Sequence, residues 1–349
     1  MIGAGPAGSA AAISAASRGL SVVLLESGRY PRHKVCGEFV SAESAAVLQK
    51  FGMALDDAPR IRTCRLHTSG RTVTIPLRKA GYSIPRIQLD ESLWQQANSR
   101  GIDCRREEAK SVSWAGGIAE VLTSESTIWA RAVINASGRW SRISSTTAGA
   151  EPWIGLKAHF QGEADDAVDL YFEPDGYCGI QAIAPGVLNA CALVRQGSAT
   201  KLEEVFAKDD SLRRRSGGWT QVTESFATAP VYLGLRSPVR DGVLQAGDAA
   251  GFVDPFVGDG ISLALRSGVL AGRAVLELSP EEYGRLYLQA FSGIFRSTSY
   301  VRTALALPNS WRRWLIQMLR VPAIGQKVIQ ATRASRLDVL SPSLPLPGV

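Results

Sequence analysis

The chain has 349 residues, 45% of them hydrophobic and 20% charged, with a net charge of +7, and this balance excludes a disordered protein. It is too long for one hydrophobic core, so we expect two closely packed domains, and it has neither a run of roughly 18 apolar residues for a membrane helix nor a recognisable signal peptide. Five dispersed cysteines and three histidines argue against a disulfide framework and a metal site, so we expect no metal and a cytoplasmic location.

The chain opens on a glycine turn, residues 3–8, with the GxGxxG spacing of dinucleotide-binding proteins. A helix to about residue 18 and a buried strand over 21–26 should follow, and the strand ends in Glu26. The glycines permit close backbone approach to a pyrophosphate, and an acid at this strand end can accept hydrogen bonds from ribose hydroxyls. Only Ile2 remains of the strand expected before the turn, which indicates a shortened chain or a start further upstream.

Helical and strand patterns alternate over the next hundred or so residues. Apolar periodicity predicts helices over 41–51 and 89–100, and residues 62–76 have the pattern of a β-hairpin with its turn at 69–70. Short strands then lead to the apolar run 132–135. This alternation is typical of a doubly wound α/β fold.

The pattern changes after residue 150, where short alternating segments are separated by turn residues and predict antiparallel strands. These segments are 154–162, 168–173, 177–184 and 187–194. A short buried strand over 243–246 then leads to a helix from about 258 to 278, and the tail from Tyr283 is mainly helical before a proline-rich end.

A second motif occupies residues 246–261, where a buried strand enters a Gly-Asp turn, a loop and a helix start. Asp248 is placed to accept a hydrogen bond from a polyol, and the helix N-terminus can stabilise negative charge on a ring. The alternative interpretation is a plain strand-to-helix connection with an aspartate cap.

These motifs, in this order, resemble the geranylgeranyl reductase family of FAD-dependent oxidoreductases and its relatives, the aromatic-hydroxylase-like flavin monooxygenases and flavin-dependent halogenases. The matching stretches are 3–26, 31–38 (PRHKVCGE), Arg86 with 89–90, 135–138 and 247–268. The halogenase signature W-x-W-x-I-P is absent around all eight tryptophans, which disfavours halogenation.

The resemblance implies an α/β fold with a Rossmann-type FAD-binding domain, an inserted antiparallel β-sheet substrate domain and a helical C-terminal tail. The expected FAD-binding domain comprises 1–62, 82–150 and 238–280. The expected substrate domain comprises 63–81 and 151–237, and the helical region comprises 281–349.

The resemblance also assigns residues to the cofactor. The ADP half would lie on the glycine turn and Glu26, the linking chain near Arg86, and the ribityl chain on Asp248. The expected cofactor-binding residues are Gly3, Gly5, Ala7, Gly8, Glu26, Arg32, Cys36, Gly37, Arg86, Ala136, Gly138, Gly247, Asp248, Pro255, Gly258, Gly260 and Ile261.

Three residues are candidates for a catalytic role. Cys36 lies in the loop 36–38, which the resemblance places near the flavin, but a lone cysteine is more often a small packing residue. His159 and Tyr177 stand on strands expected to roof the flavin, and strand alternation can equally turn them outward. Arg32 can neutralise phosphate or be a solvated charge, and His33 can pass protons or lie on the surface.

The expected reaction is flavin-mediated reduction of a C=C bond in an apolar organic substrate. The alternatives are a flavin monooxygenase that hydroxylates such a substrate, and a non-catalytic electron-relay protein. No second GxGxxG motif is present, so we expect NAD(P)H or another reductant to visit the flavin from outside.

The positive charge is concentrated at the C-terminal end, where residues 291–349 contain eight basic residues and the single acid Asp338. No nucleic-acid module accompanies it, so we expect no nucleic-acid partner. The tail either packs on the body as an ordinary amphipathic helix or docks on an anionic membrane surface or an acidic carrier protein that holds the substrate.

Overall fold

The computed structural model describes residues 1–68, 70–139, 152–305, 307–331 and 333. The helices are α1 (Pro6–Ala16), α2 (Ala42–Lys50), α3 (Arg86–Asn98), α4 (Leu202–Phe206), α5 (Asp210–Ser216), α6 (Gly260–Ala274), α7 (Pro280–Leu305), α8 (Asn309–Met318) and α9 (Pro322–Ala331). The predicted turn residue Ser69, the acid Asp338 and the proline-rich end lie outside the described residues.

The strands follow the chain from the glycine turn to the second motif. They are β1 (Val23–Leu25), β2 (Phe39–Val40), β3 (Arg60–Thr68), β4 (Arg71–Ser83), β5 (Asp103–Arg105), β6 (Ala109–Ala115), β7 (Ile118–Thr123), β8 (Thr127–Ala130), β9 (Ile134–Asn135), β10 (Trp153–Gln161), β11 (Ala167–Glu173), β12 (Gly176–Ala184), β13 (Val187–Arg195), β14 (Thr220–Gln221), β15 (Phe226–Val231), β16 (Gly234–Leu235), β17 (Val239–Arg240), β18 (Val243–Gln245) and β19 (Gly251–Phe252).

A parallel sheet forms the nucleotide-binding half, with β1 beside β5 and β9 beside β18, and β17 pairing antiparallel with β18. Ile2 joins the β1–β5 pair to the β9–β18 pair, because it pairs in parallel with both Leu25 and Asn135. Helices α1 and α6 pack closely against each other: a Cβ added to Gly268 would lie 2.1 Å from the Ala7 carbonyl oxygen. The predicted α/β arrangement is therefore present, with one residue in the place of the central strand.

The second large sheet has the strand order β14-β10-β13-β12-β11-β3-β4-β2, and β15 pairs with the outer side of β10. The pairs β10–β13, β12–β13 and β11–β12 are antiparallel, as predicted. The prediction of a purely antiparallel sheet is wrong where β11 pairs with β3, since that pair is parallel. A tight hairpin forces an antiparallel pair, but these strands are separated by about a hundred residues and are free of that constraint.

The C-terminal helices pack on both sheets. Helix α7 buries Tyr283, Tyr287 and Phe291 in the core beside the parallel sheet. Helix α8 buries Ile316 against Val73 and Ile75 of β4. In the described part of the chain, no helix is both long enough and apolar enough to cross a bilayer.

Candidate active site

The glycine turn between Ile2 and α1 has no room for larger residues at two positions. Gly3 has a φ of +91°, and a Cβ on Gly8 would lie 1.7 Å from the Gly3 carbonyl oxygen. Gly5 differs: a Cβ there would meet only Lys34 Nζ at 3.8 Å and an Arg86 guanidinium nitrogen at 4.0 Å. The turn is thus closed on its inner side and open toward two cations at Gly5, which is the arrangement that a bound pyrophosphate requires.

Glu26 stands at the end of β1 with its side chain buried, and it organises the loop around the turn. Its carboxylate accepts hydrogen bonds from the Ala4 N–H at 3.0 Å and the Gly28 N–H at 2.9 Å. Arg32 donates to the same carboxylate at 2.7 Å, and the Tyr30 hydroxyl donates at 3.2 Å. The two predicted cofactor residues Glu26 and Arg32 are therefore an ion pair at the cavity wall.

The cations at Gly5 share one buried carboxylate. Arg86 Nε donates to Asp90 Oδ1 at 2.8 Å, and Lys34 Nζ lies 2.7 Å from Asp90 Oδ2. Burial would raise the pKa of Asp90, but the Arg86 and Lys34 charges outweigh it and hold the pKa below its ordinary value. Two cations against one carboxylate leave a net positive charge facing the turn, which suits a phosphate.

Asp248 lies in the Gly-Asp turn after β18, where a Cβ on Gly247 would be 2.8 Å from the Ala7 side chain. Burial raises the pKa of Asp248, and the Arg139 and Arg86 charges oppose this effect. Among the described residues, no hydrogen bond satisfies its carboxylate, which faces the cavity. A half-buried acid without a protein donor fits a ligand that brings hydroxyl groups.

A single elongated cavity of about 810 Å³ begins at the glycine turn and passes beneath the large sheet to the C-terminal helices. Every predicted cofactor-binding residue except Gly8 lines it. The sheet contributes mainly apolar side chains from β3, β4 and β11–β13. The opposite wall was not predicted: it is formed by Leu305, Ile316, Leu319, Val328 and Ile329 of α7, α8 and α9.

The three catalytic candidates occupy different places. Cys36 and Tyr177 line the cavity, whereas His159 lies outside its wall, buried behind Glu38. Burial raises the pKa of Tyr177 well above its ordinary value, and the nearby Asp254 charge adds to the effect, so the phenol keeps its proton. His33 also lines the cavity, stacked on Phe226 with a ring-centroid distance of 4.9 Å.

The sequence patterns missed a buried ionic cluster that holds the Cys36 loop. Glu38 and Lys157 form an ion pair in which both side chains are fully buried, and His159 Nε2 lies 2.9 Å from the second Glu38 oxygen. The Arg86 backbone N–H also donates to Glu38, at 2.8 Å. Burial would raise the pKa of Glu38, but hydrogen bonds and charge from His159 and Lys157 lower it overall.

A neutral amide completes this attachment. Asn189 of β13 donates to the carbonyl oxygens of Cys36 at 3.1 Å and Gly37 at 2.9 Å. Side chains of the large sheet therefore hold the Cys36 loop at two kinds of group, the loop's backbone carbonyls and the Glu38 side chain. Lys157 and Asn189 are polar residues within otherwise apolar strands, and that anomaly was the available sequence signal.

Comparison with known proteins gives the family context. No protein-family model matches the chain. It is 26% identical to menaquinone reductase of Mycobacterium tuberculosis, over 97% of this chain and 89% of that protein. It is also 26% identical to digeranylgeranylglycerophospholipid reductase of Methanocaldococcus jannaschii, over 78% of this chain and 75% of that protein.

Solved structures share the fold. A flavin-dependent brominase superposes with a TM-score of 0.79 at 19% identity, covering 95% of this chain and 92% of that chain. A geranylgeranyl bacteriochlorophyll reductase-like protein from Thermoplasma acidophilum superposes with a TM-score of 0.77 at 21% identity, covering 97% and 96%. With the turn and the cavity described above, the likeness to the two curated reductases indicates an FAD-dependent oxidoreductase. More particularly, they confirm the resemblance to the geranylgeranyl reductase-like FAD-dependent oxidoreductases.

Proposed function

We propose that the protein holds FAD at the glycine-turn end of the cavity and reduces a C=C bond of an apolar substrate in the other end. The observation that carries this proposal is the continuity of the cavity, which joins a dinucleotide-binding turn to an apolar chamber under the large sheet. Such a chamber binds an apolar chain by removing it from water.

The residues at the first end fit FAD in charge and shape. Gly5, Lys34 and Arg86 would receive the pyrophosphate, and Glu26 the adenosine ribose. Asp248 would accept hydrogen bonds from the ribityl chain, since no described protein donor satisfies it. The segment from Gly258 to Ile261 at the start of α6 would face the isoalloxazine, where the helix N-terminus favours negative charge.

FAD, when bound, supplies hydride chemistry, and the protein supplies position and a dry environment. A substrate seated against the apolar walls would displace water from the reacting end. Cys36 is held at the cavity wall by the Glu38 and Asn189 contacts. Tyr177 presents a protonated phenol at the same cavity, suited to orient a substrate by donating a hydrogen bond.

Two further assignments belong to this proposal. The chain would divide into the discontinuous FAD-binding domain, the sheet domain and the C-terminal region with the boundaries predicted from the sequence.

The electron donor would be NAD(P)H or another reductant that reaches the flavin transiently. The apolar chamber favours a small-molecule reaction over electron relay alone.

The reaction is tested by anaerobic incubation of FAD-loaded protein with reductant and a polyprenyl substrate such as menaquinone or an unsaturated archaeal-type lipid. Mass spectrometry should show a gain of two hydrogens for each reduced double bond. With menaquinone the product is reoxidised in air before analysis, because reduction of the quinone ring to the quinol also adds two hydrogens and is reversed by oxygen, whereas a saturated double bond is not. A product that appears only in air and carries an added oxygen would replace reduction with monooxygenation. Flavin reduction without any altered substrate would favour the electron-relay alternative.

The cofactor assignment has a separate test that does not depend on turnover. Asp248→Ala should weaken FAD binding more than Cys36→Ala, because the ribityl hydroxyls lose their acceptor, typically at a cost of about 1 kcal/mol or somewhat more. Dissociation constants measured by flavin fluorescence compare the two variants. Wild-type affinity in Asp248→Ala would remove Asp248 from the site.

A further inference from the structure

We propose that α8 docks the protein on an anionic lipid bilayer and that apolar substrate enters the cavity beneath this helix. The proposal rests on the proposed function for the route of the substrate. Its basis is a row of exposed apolar side chains on α8 and the following turn. Trp311 is 62% exposed, Trp314 56%, Met318 38% and Val321 50%.

The spacing of these residues places them on one face. Steps of three and four residues return to the same side of a helix. Large aromatic side chains rarely remain in water as a group without a partner. Tryptophan in particular favours the headgroup region of a bilayer, where its ring is buried and its N–H stays hydrated.

The opposite face of α8 forms the cavity. Ile316 is only 2% exposed, packs on Val73 and Ile75, and lines the cavity together with Leu319. A single helical layer therefore separates the apolar chamber from the exposed tryptophans. An apolar molecule that leaves a bilayer at this face therefore starts about one helix diameter, roughly 10 Å, from the chamber.

The excess of basic residues around α8 favours an anionic lipid surface. Between residues 283 and 337 the sequence contains no Asp or Glu and nine basic residues: Arg285, Arg296, Arg302, Arg312, Arg313, Arg320, Lys327, Arg333 and Arg336. Arg302 and Arg333 pair with Asp254 and Asp259 and so face the protein. Arg320, directly before Val321, and Lys327 of α9 are exposed. Cations and tryptophans together are typical of helices that lie on anionic membranes. An acidic carrier protein would suit both the charge and the tryptophans, since tryptophan is also enriched at protein interfaces. The apolar cavity on the other face of this helix favours the bilayer, from which an apolar substrate comes.

The test uses the FAD-loaded full chain and vesicles of phosphatidylcholine with phosphatidylglycerol. In flotation assays the wild type should bind these vesicles and bind pure phosphatidylcholine much less. The double variant Trp311→Ser/Trp314→Ser should bind at least tenfold more weakly. Trp129→Ser is the control, because Trp129 is 60% exposed on β8, which pairs with β7 and not with the sheet on which α8 packs. This variant should bind the vesicles as the wild type does.

Several outcomes separate this proposal from the proposed function. Flavin content and thermal unfolding of the double variant should match the wild type, and so should turnover of substrate dispersed in detergent; turnover of substrate in vesicles should fall. Vesicle binding that survives the double substitution, or wild-type protein that binds no vesicles, would overturn the docking proposal. Binding to an acidic carrier protein but not to vesicles would overturn it too. If the wild type itself turns over no substrate dispersed in detergent, that result would instead count against the proposed reaction.

Discussion

Lys157→Met should destabilise the fold strongly, because it leaves the Glu38 carboxylate in the interior without its ammonium partner. Both side chains of the pair are 0% exposed. Removing one member of such a buried pair typically costs about 3–5 kcal/mol. Methionine is unbranched and fills much of the lysine volume, so the loss arises mainly from charge and not from a cavity. Glu38 can partly escape the penalty by protonation, and the loss should therefore be smaller at pH 5 than at pH 8.

Guanidinium denaturation followed by tryptophan fluorescence measures this loss. The double variant Lys157→Met/Glu38→Gln should recover more than half of it, since no unpaired charge remains in the interior. Arg213→Met is the control: its ion pair with Asp210 is 62% and 82% exposed, so its loss should stay within about 0.5 kcal/mol. A Lys157→Met variant within about 1 kcal/mol of the wild type, or a double variant less stable than the single one, would refute the reasoning.

Two further predictions concern the turn and the pH dependence. Gly8→Ala should weaken FAD binding at least tenfold in a fluorescence titration, because its Cβ would lie 1.7 Å from the Gly3 carbonyl oxygen. Gly293→Ala is the control: its Cβ would meet no atom within 4 Å, and this variant should bind FAD as the wild type does. Burial raises the pKa of Asp254 to about 6, although the Arg302 charge opposes the rise. The folded state therefore holds this proton more tightly than the unfolded state does. The contribution of Asp254 to stability consequently falls as the pH rises from 4 to 6. The difference in unfolding free energy between the wild type and Asp254→Asn should change across that interval, and parallel curves would contradict the assignment.

Local sequence signals were sufficient for the nucleotide-binding half of the site. Glu26 and Asp248 each follow a strand of the parallel sheet, and the glycine turn follows Ile2, which pairs in parallel with both Leu25 and Asn135. Strands of a parallel sheet end at the same edge. Their convergence on one cavity in the structure therefore follows from motif and order along the chain.

The remaining features depend on contacts between distant residues, which periodicity does not encode. Glu38 and Lys157 are 119 residues apart and meet only because β10 crosses over the Cys36 loop. The parallel pairing of β11 with β3 joins segments about a hundred residues apart. The amphipathic pattern of the tail left packing and docking both open. That Ile316 of α8 forms part of the cavity wall depends on Val73 and Ile75 of β4, which lie far away in the sequence.

The flavin content of the purified protein tests the central claim most directly. The protein is denatured, and the released cofactor is identified and quantified by chromatography against the protein concentration. The structure predicts FAD in a ratio close to one per chain, either as purified or after incubation with FAD. A protein that takes up NAD but refuses added FAD would contradict the account.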